Sequence, residues 1–193
     1  EVNSITPRIS DNKDKITLLY AGNMGRVQGL LDLINIISLI RNDELIFSFR
    51  GTGALKSAMM DLVKSKKIRN VLFDGGYSRN KQSEILGSCD IALITLADEM
   101  YGLAVPSKSY NIMAAGKPIL YIGNSDSEIW KVVSDNKIGF CFQWTEKERL
   151  IEFLNNLSTL QLETLREMGN RARKLAEHSY SESVILGKYL DII

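Results

Sequence analysis

Residues 16–40 read ITLLYAGNMGRVQGLLDLINIISLI, and this stretch decides the fold. Its first seven residues form a short run rich in β-formers that stops at Gly22. The following segment sets apolar side chains at Leu30, Leu33, Ile34 and Ile37, the spacing of one helical face. A strand that ends at glycine and leads into an amphipathic helix is the first half of a strand–helix–strand unit.

The same alternation continues along the chain after this stretch. LIFSFRG (45–51), VLFDGG (71–76), IALITLA (91–97), PILYIG (118–123) and GFCFQW (139–144) read as five further strands. Between them lie helical patterns at 54–67, 80–89, 107–116 and 127–136. The run at 91–97 is almost wholly apolar, as a strand covered on both faces is. Repeated units of this kind predict a Rossmann-like α/β fold, with about six parallel strands and helices on both faces. From Thr145 onward the patterns are helical only: ERLIEFLNNL (148–157), LETLREMGNRARKLAEH (162–178) and SESVILGKYLDII (181–193). Residues 1–14 are polar and aperiodic, so they read as a linker or N-terminal remnant, with one domain over 15–193.

Composition narrows the function classes. The chain has 193 residues, 45% of them hydrophobic and 24% charged, which suits a globular domain with a sizeable core. A formal net charge of +1 gives no nucleic-acid footprint. No apolar run reaches the roughly 18 residues of a membrane span. Cys89 and Cys141 lie far apart and are expected as buried free thiols. A single histidine, His178, argues against a zinc site, and no metal ligand set is predicted.

Ligands of open parallel sheets bind at the carboxyl ends of the strands, which directs attention to the loops there. AGNMGRVQG carries Gly22, Gly25 and Gly29 with Arg26 among them. The spacing matches neither a dinucleotide-binding fingerprint nor a P-loop. A glycine-lined loop entering a helix suits an anion, and equally a plain turn. RGTG (50–53) ends the second strand the same way, with Arg50 and Lys56 as weaker cationic candidates. The most specific segment is EMYGLAVPSKSYNIMAAGKP (99–118). Pro106 and Ser107 open a helix, Ser107 able to cap its free N–H groups, with Lys108 beside them to hold a diphosphate. Asn111, one turn in, reaches toward a ribose, and Gly116 with Pro118 stops the helix.

Taken together, YAGNMG, QGLLDLI, FRGTG, VLFDGG, CDIALITL, GLAVPSK, NIMAAGKPIL, IGF and MGNRARKLAE resemble, in order and spacing, the C-terminal domain of bacterial retaining family 4 glycosyltransferases of GT-B type. The nearest branch is the one that builds surface polysaccharides, and the resemblance covers residues 15–193. It implies a nucleoside diphosphate sugar, UDP-linked by family habit, as donor and a glycan or lipid-linked acceptor, with no cofactor. It places diphosphate contacts at Gly22, Gly25, Arg26, Ser107 and Lys108. Ribose and base contacts fall at Gly76, Tyr77 and Asn111. Asn23 and Gln28 stand where the family carries two cations, and Asn111 stands where many members carry glutamate; Glu99 is a candidate for the partner glutamate. The resemblance also implies a separate N-terminal acceptor domain, a location at the cytoplasmic membrane face, and little transfer by this domain alone. Two other functions use the same fold: half of a sugar-nucleotide epimerase, and a non-catalytic nucleotide- or partner-binding module.

Overall fold

A computed structural model describes residues 14–98 and 108–180. Six strands form one parallel sheet: β1 (Ile16–Ala21), β2 (Leu45–Arg50), β3 (Val71–Asp74), β4 (Ile91–Thr95), β5 (Ile119–Ile122) and β6 (Gly139–Phe142). Their spatial order is β3-β2-β1-β4-β5-β6, so the chain winds outward one way from β1 and then reverses beyond it. The helices are α1 (Leu30–Ile37), α2 (Lys56–Ser65), α3 (Gln82–Gly87), α4 (Lys108–Ala114), α5 (Glu128–Asp135), α6 (Lys147–Asn156) and α7 (Leu162–Ser179).

Alternate residues of β1, β4, β5 and β6 feed two cores, while β2 and β3 feed the first. On one face Leu18, Tyr20, Ile91 and Leu93 meet Leu33 and Ile37 of α1, Met59 of α2 and Leu150 of α6. On the other, Leu19, Ala92 and Ile94 meet Ile85 of α3, Ile112 of α4 and Val133 of α5. The period of two in each strand is what permits both faces to be covered. α7 supplies Leu165 to the first core and Ala172 and Ala176 to the second, so it wraps from one layer to the other. Its Gly169 packs on the backbone of Gly116, and its Arg173 donates to the carbonyl of Ala114, which anchors it on the end of α4.

Three helices end in the same way. Lys67, Gly116 and Lys137 have φ of 55°, 66° and 52°, the left-handed region. The N–H of the residue after each reaches five residues back: Ile68 to Val63, Lys117 to Ile112, Ile138 to Val133. The helix stop expected at Gly116 is therefore of Schellman type.

Two boundaries differ from the sequence expectation. The helical pattern from Val27 begins as a 3-10 turn at Arg26–Gln28, and α1 starts only at Leu30, because Gly29 sits at φ 61° between them. β6 ends at Phe142, not at Trp144, because the Glu146 carboxylate accepts the Gln143 N–H and turns the chain. Cys89 and Cys141 are free thiols, and burial pushes both up to about 12. Lys117 is buried, its Nζ donating to the carbonyls of Gly87 (3.2 Å) and Cys89 (2.7 Å) beyond α3. No described helix is long and apolar enough to cross a membrane. Residues 1–13, the loop and cap at 99–107 with Glu99 and Ser107, and the helical pattern at 181–193 lie outside the described residues.

Candidate functional site

The sheet reverses its winding between β1 and β4. Their ladder pairs only Leu18 with Ile91 and Leu19 with Ala92, so the carboxyl halves of the two strands part. The loop after β1 folds into this opening. Val27 accepts from the Ala97 N–H at 2.9 Å, and Gln28 accepts from Thr95 Oγ1 at 2.6 Å.

That loop is held edge to edge against the loop after β2. The N–H of Gly22 donates to Arg50 and that of Met24 to Thr52, both at 2.8 Å, while Leu55 donates to Met24 at 2.9 Å. The parallel ladder thus runs on past the strand ends. A Cβ on Gly51 would fall 2.0 Å from the Gly22 oxygen, and one on Gly53 2.4 Å from the Met24 oxygen. The two glycines of RGTG are therefore set by neighbouring backbone. Gly25 N–H is also engaged, by the Gln28 side chain at 3.0 Å. The N–H groups of Gly22 and Gly25 are thus taken within the chain, and a Cβ on Gly25 would come within 2.9 Å of the Asn23 amide and 3.0 Å of the Gln28 amide.

Lys108, the first residue of α4, lies across this loop. Its Nζ donates to the Tyr20 hydroxyl at 3.2 Å and stands 4.2 Å from the centre of the Tyr20 ring. A Cβ on Gly22 would come within 3.2 Å of the same nitrogen. Burial lowers the ammonium from its ordinary 10.5 to about 8, because a desolvated charge is disfavoured. The Tyr20 hydroxyl in turn donates to the Asn23 carbonyl at 2.6 Å. Burial first, then the nearby Tyr77 phenol, raises Tyr20 above its ordinary value.

The other predicted residues fall into three groups. Gly76 is exposed beside Thr52, and Tyr77 is half-buried against the second core. Asn111 is half-buried in α4, one turn beyond Lys108. Arg50 pairs with Asp74 at 3.0 Å, and Lys56 donates to the carbonyls of Gly51 (3.2 Å) and Asp74 (2.6 Å). These two cations tie the β2 loop to the end of β3. Arg26 is exposed and lines a surface cavity of about 750 Å³ with Gly29, Asp98, Trp144 and Lys147. No other described candidate lines that cavity. Among the described residues no group of three or more metal-type side chains comes together.

Sequence reasoning missed Tyr20 and Trp144. A tyrosine inside an apolar strand reads as core, and nothing local marks its partner, 88 positions away. Trp144 donates its indole N–H to Leu96 at 2.8 Å and packs on Gly29, which fixes the turn into α1.

Strand order, parallel pairing and the opening at the reversal point define a Rossmann-like α/β domain of the kind that forms half of a GT-B architecture. The chain belongs to the glycosyl transferases group 1 family, whose model matches residues 3–175. It is 31% identical over 181 residues to "Probable glycosyltransferase WbjE" of Pseudomonas aeruginosa, covering 94% of this chain and 44% of that protein. "Putative colanic acid biosynthesis glycosyl transferase WcaI" of Escherichia coli K12 is 23% identical over 194 residues, covering 100% of this chain and 46% of that protein. The chain thus spans about half the length of these curated relatives. The crystal structure of HepE from Anabaena, in complex with UDP and glucose, superimposes with a TM-score of 0.77 at 13% identity, over 100% of this chain and 54% of that one.

Proposed function

We propose that this chain is the donor-binding half of a retaining family 4 glycosyltransferase of a surface-polysaccharide pathway. It holds a nucleoside diphosphate sugar, UDP-linked, whose hexosyl or N-acetylhexosaminyl group passes to a glycan or lipid-linked acceptor. The observation that carries this is the Lys108 ammonium poised over Gly22 at the point where the sheet reverses, in a chain of the group 1 family. HepE, similar in fold, is known in complex with UDP and glucose.

The chemistry follows from where charge develops. As the bond to the anomeric carbon breaks, negative charge builds on the departing diphosphate, and a fixed cation there lowers the barrier. Lys108, with Ser107 and the helix N–H groups beside it, takes that charge; Arg26 adds a mobile cation, and no cofactor is used. Gly22 and Gly25 let the phosphates approach the loop, with the Gln28 amide yielding the Gly25 N–H. Gly76, Tyr77 and Asn111 hold the base and ribose, Asn111 by neutral hydrogen bonds. Arg50, Lys56 and Glu99 are secondary contacts. Relatives about twice as long are consistent with a second, N-terminal half that supplies acceptor contacts, so this chain alone transfers little. The whole enzyme works at the cytoplasmic membrane face.

Calorimetric titration with UDP and with GDP tests this. UDP is expected to bind the 193-residue chain. Lys108→Met is expected to weaken binding at least about tenfold, the worth of one desolvated charge-assisted hydrogen bond. Absence of binding by either nucleotide, or efficient sugar transfer by this chain alone, overturns the corresponding part.

A further inference from the structure

We propose that Tyr20 is a positioning residue for the donor site, setting at once the place of the Lys108 cation and the shape of the first loop. It rests on the donor-binding function above, and no part of that function assigns Tyr20 a role.

Tyr20 is fully buried near the end of β1, its ring packed beside Phe49 with centroids 6.1 Å apart. A phenol hydroxyl has one proton to give and lone pairs to receive. The proton goes to the Asn23 carbonyl and a lone pair takes the Lys108 ammonium, giving the directed chain Lys108 Nζ–H to Tyr20 Oη–H to Asn23 O. Asn23 lies between Gly22 and Met24, the two residues stitched to the β2 loop. One oxygen therefore joins the cation, the loop and the rigid strand.

A free lysine stem has four rotatable bonds, and fixing it on binding costs conformational entropy. Here the ring face receives the stem's charged end and the hydroxyl fixes its direction, so that cost is met before any anion arrives. Lys108 pairs with no carboxylate among the described residues, and its lowered basicity comes from burial alone. Among the described residues Tyr20, from β1, is the titratable group in contact with it, and Tyr77, from the segment after β3, lies near Tyr20 in turn. Of its three ammonium protons one is held by Tyr20, and among the described residues no further acceptor holds the others, which suits a diphosphate over Gly22.

The test is a double-mutant cycle with Tyr20→Phe and Lys108→Met, which removes the hydroxyl but keeps the ring. UDP affinity in Tyr20→Phe is expected to fall about fivefold to tenfold. In the Lys108→Met background the same change is expected to cost less than about twofold, because the partner is gone. Equal losses in both backgrounds, or an unchanged affinity in Tyr20→Phe, overturn the proposal. A second measurement needs no nucleotide: the Lys108 ammonium is titrated by NMR on the reductively methylated chain. Loss of the hydroxyl acceptor is expected to move that titration to lower pH, and an unmoved titration overturns the coupling. If neither UDP nor GDP binds the wild-type chain, the donor-binding function fails while this titration still decides whether Tyr20 governs Lys108.

Discussion

Gly169→Ala probes the seam that holds α4, and with it Lys108, in place. A Cβ at this position would stand 2.1 Å from the Gly116 oxygen, 3.0 Å from its carbon and 3.5 Å from Pro118 Cδ. The nearest atoms are backbone, so the strain cannot be relieved by rotating a side chain. To reach ordinary contact α7 must retreat by roughly 1 Å. Such overpacking costs about 1–3 kcal/mol. The retreat also stretches the Arg173 bond to Ala114, worth about 1 kcal/mol. Against this, alanine is favoured over glycine inside a helix by about 1 kcal/mol. The net expectation is a loss of about 2 kcal/mol, or about 4–8 °C in Tm for a domain of this size. Urea unfolding followed by far-UV circular dichroism measures it. Asn170→Ala, one residue along on the exposed side of α7, is the control and is expected to gain about 0.5 kcal/mol from propensity alone. If Gly169→Ala stabilises as the control does, α7 does not bear on α4 in the way described.

Two further perturbations address other parts of the molecule. Lys67→Gly and Lys137→Gly relieve left-handed backbone at two helix ends and are each expected to stabilise by about 0.5–1 kcal/mol; a loss in chemical denaturation at either site contradicts the strain assigned there. The folded Lys108 titrates near 8, below its ordinary 10.5, so between those values the unfolded chain binds more protons and stability rises with pH. Relative to Lys108→Met, the wild type is expected to gain on the order of 1–2 kcal/mol between pH 7.5 and pH 10. Urea unfolding of both at the two pH values checks this, and a difference that stays flat or declines contradicts burial of the charge.

The fold was legible because it depends on local period. All six strands lie where the short apolar runs end in glycine or polar residues, and the helical patterns between and after them fall at α1 to α7 with ends shifted by a few residues. The shifts have tertiary causes. Gly29 breaks the helix start because Trp144, far along the chain, packs on it. The site was legible in part. Lys108 stands at the sheet reversal because the Pro-Ser-Lys opening follows β4 in the chain order that the strand pattern gave. What the pattern did not carry is which part of the chain each glycine faces. Gly51 and Gly53 look the same in sequence as Gly22, yet their missing side chains make way for the carbonyls of Gly22 and Met24. Nor did the pattern carry that Arg50 and Lys56 both lean on Asp74, at the end of the neighbouring strand.

The stitching of the two loops beyond β1 and β2 has a bearing on how this site diversifies. Main-chain bonds among Gly22, Met24, Arg50, Thr52 and Leu55 join the two loops, and the Tyr20 hydroxyl, the Gln28 amide and the Lys56 ammonium add side-chain bonds to that frame. The side chains of Asn23, Arg26 and Thr52, all exposed, ride on that frame as interchangeable parts. A lineage can exchange them without remodelling the scaffold beneath. Asn23 is such a part, its exposed side chain carried on a backbone whose carbonyl the Tyr20 hydroxyl holds.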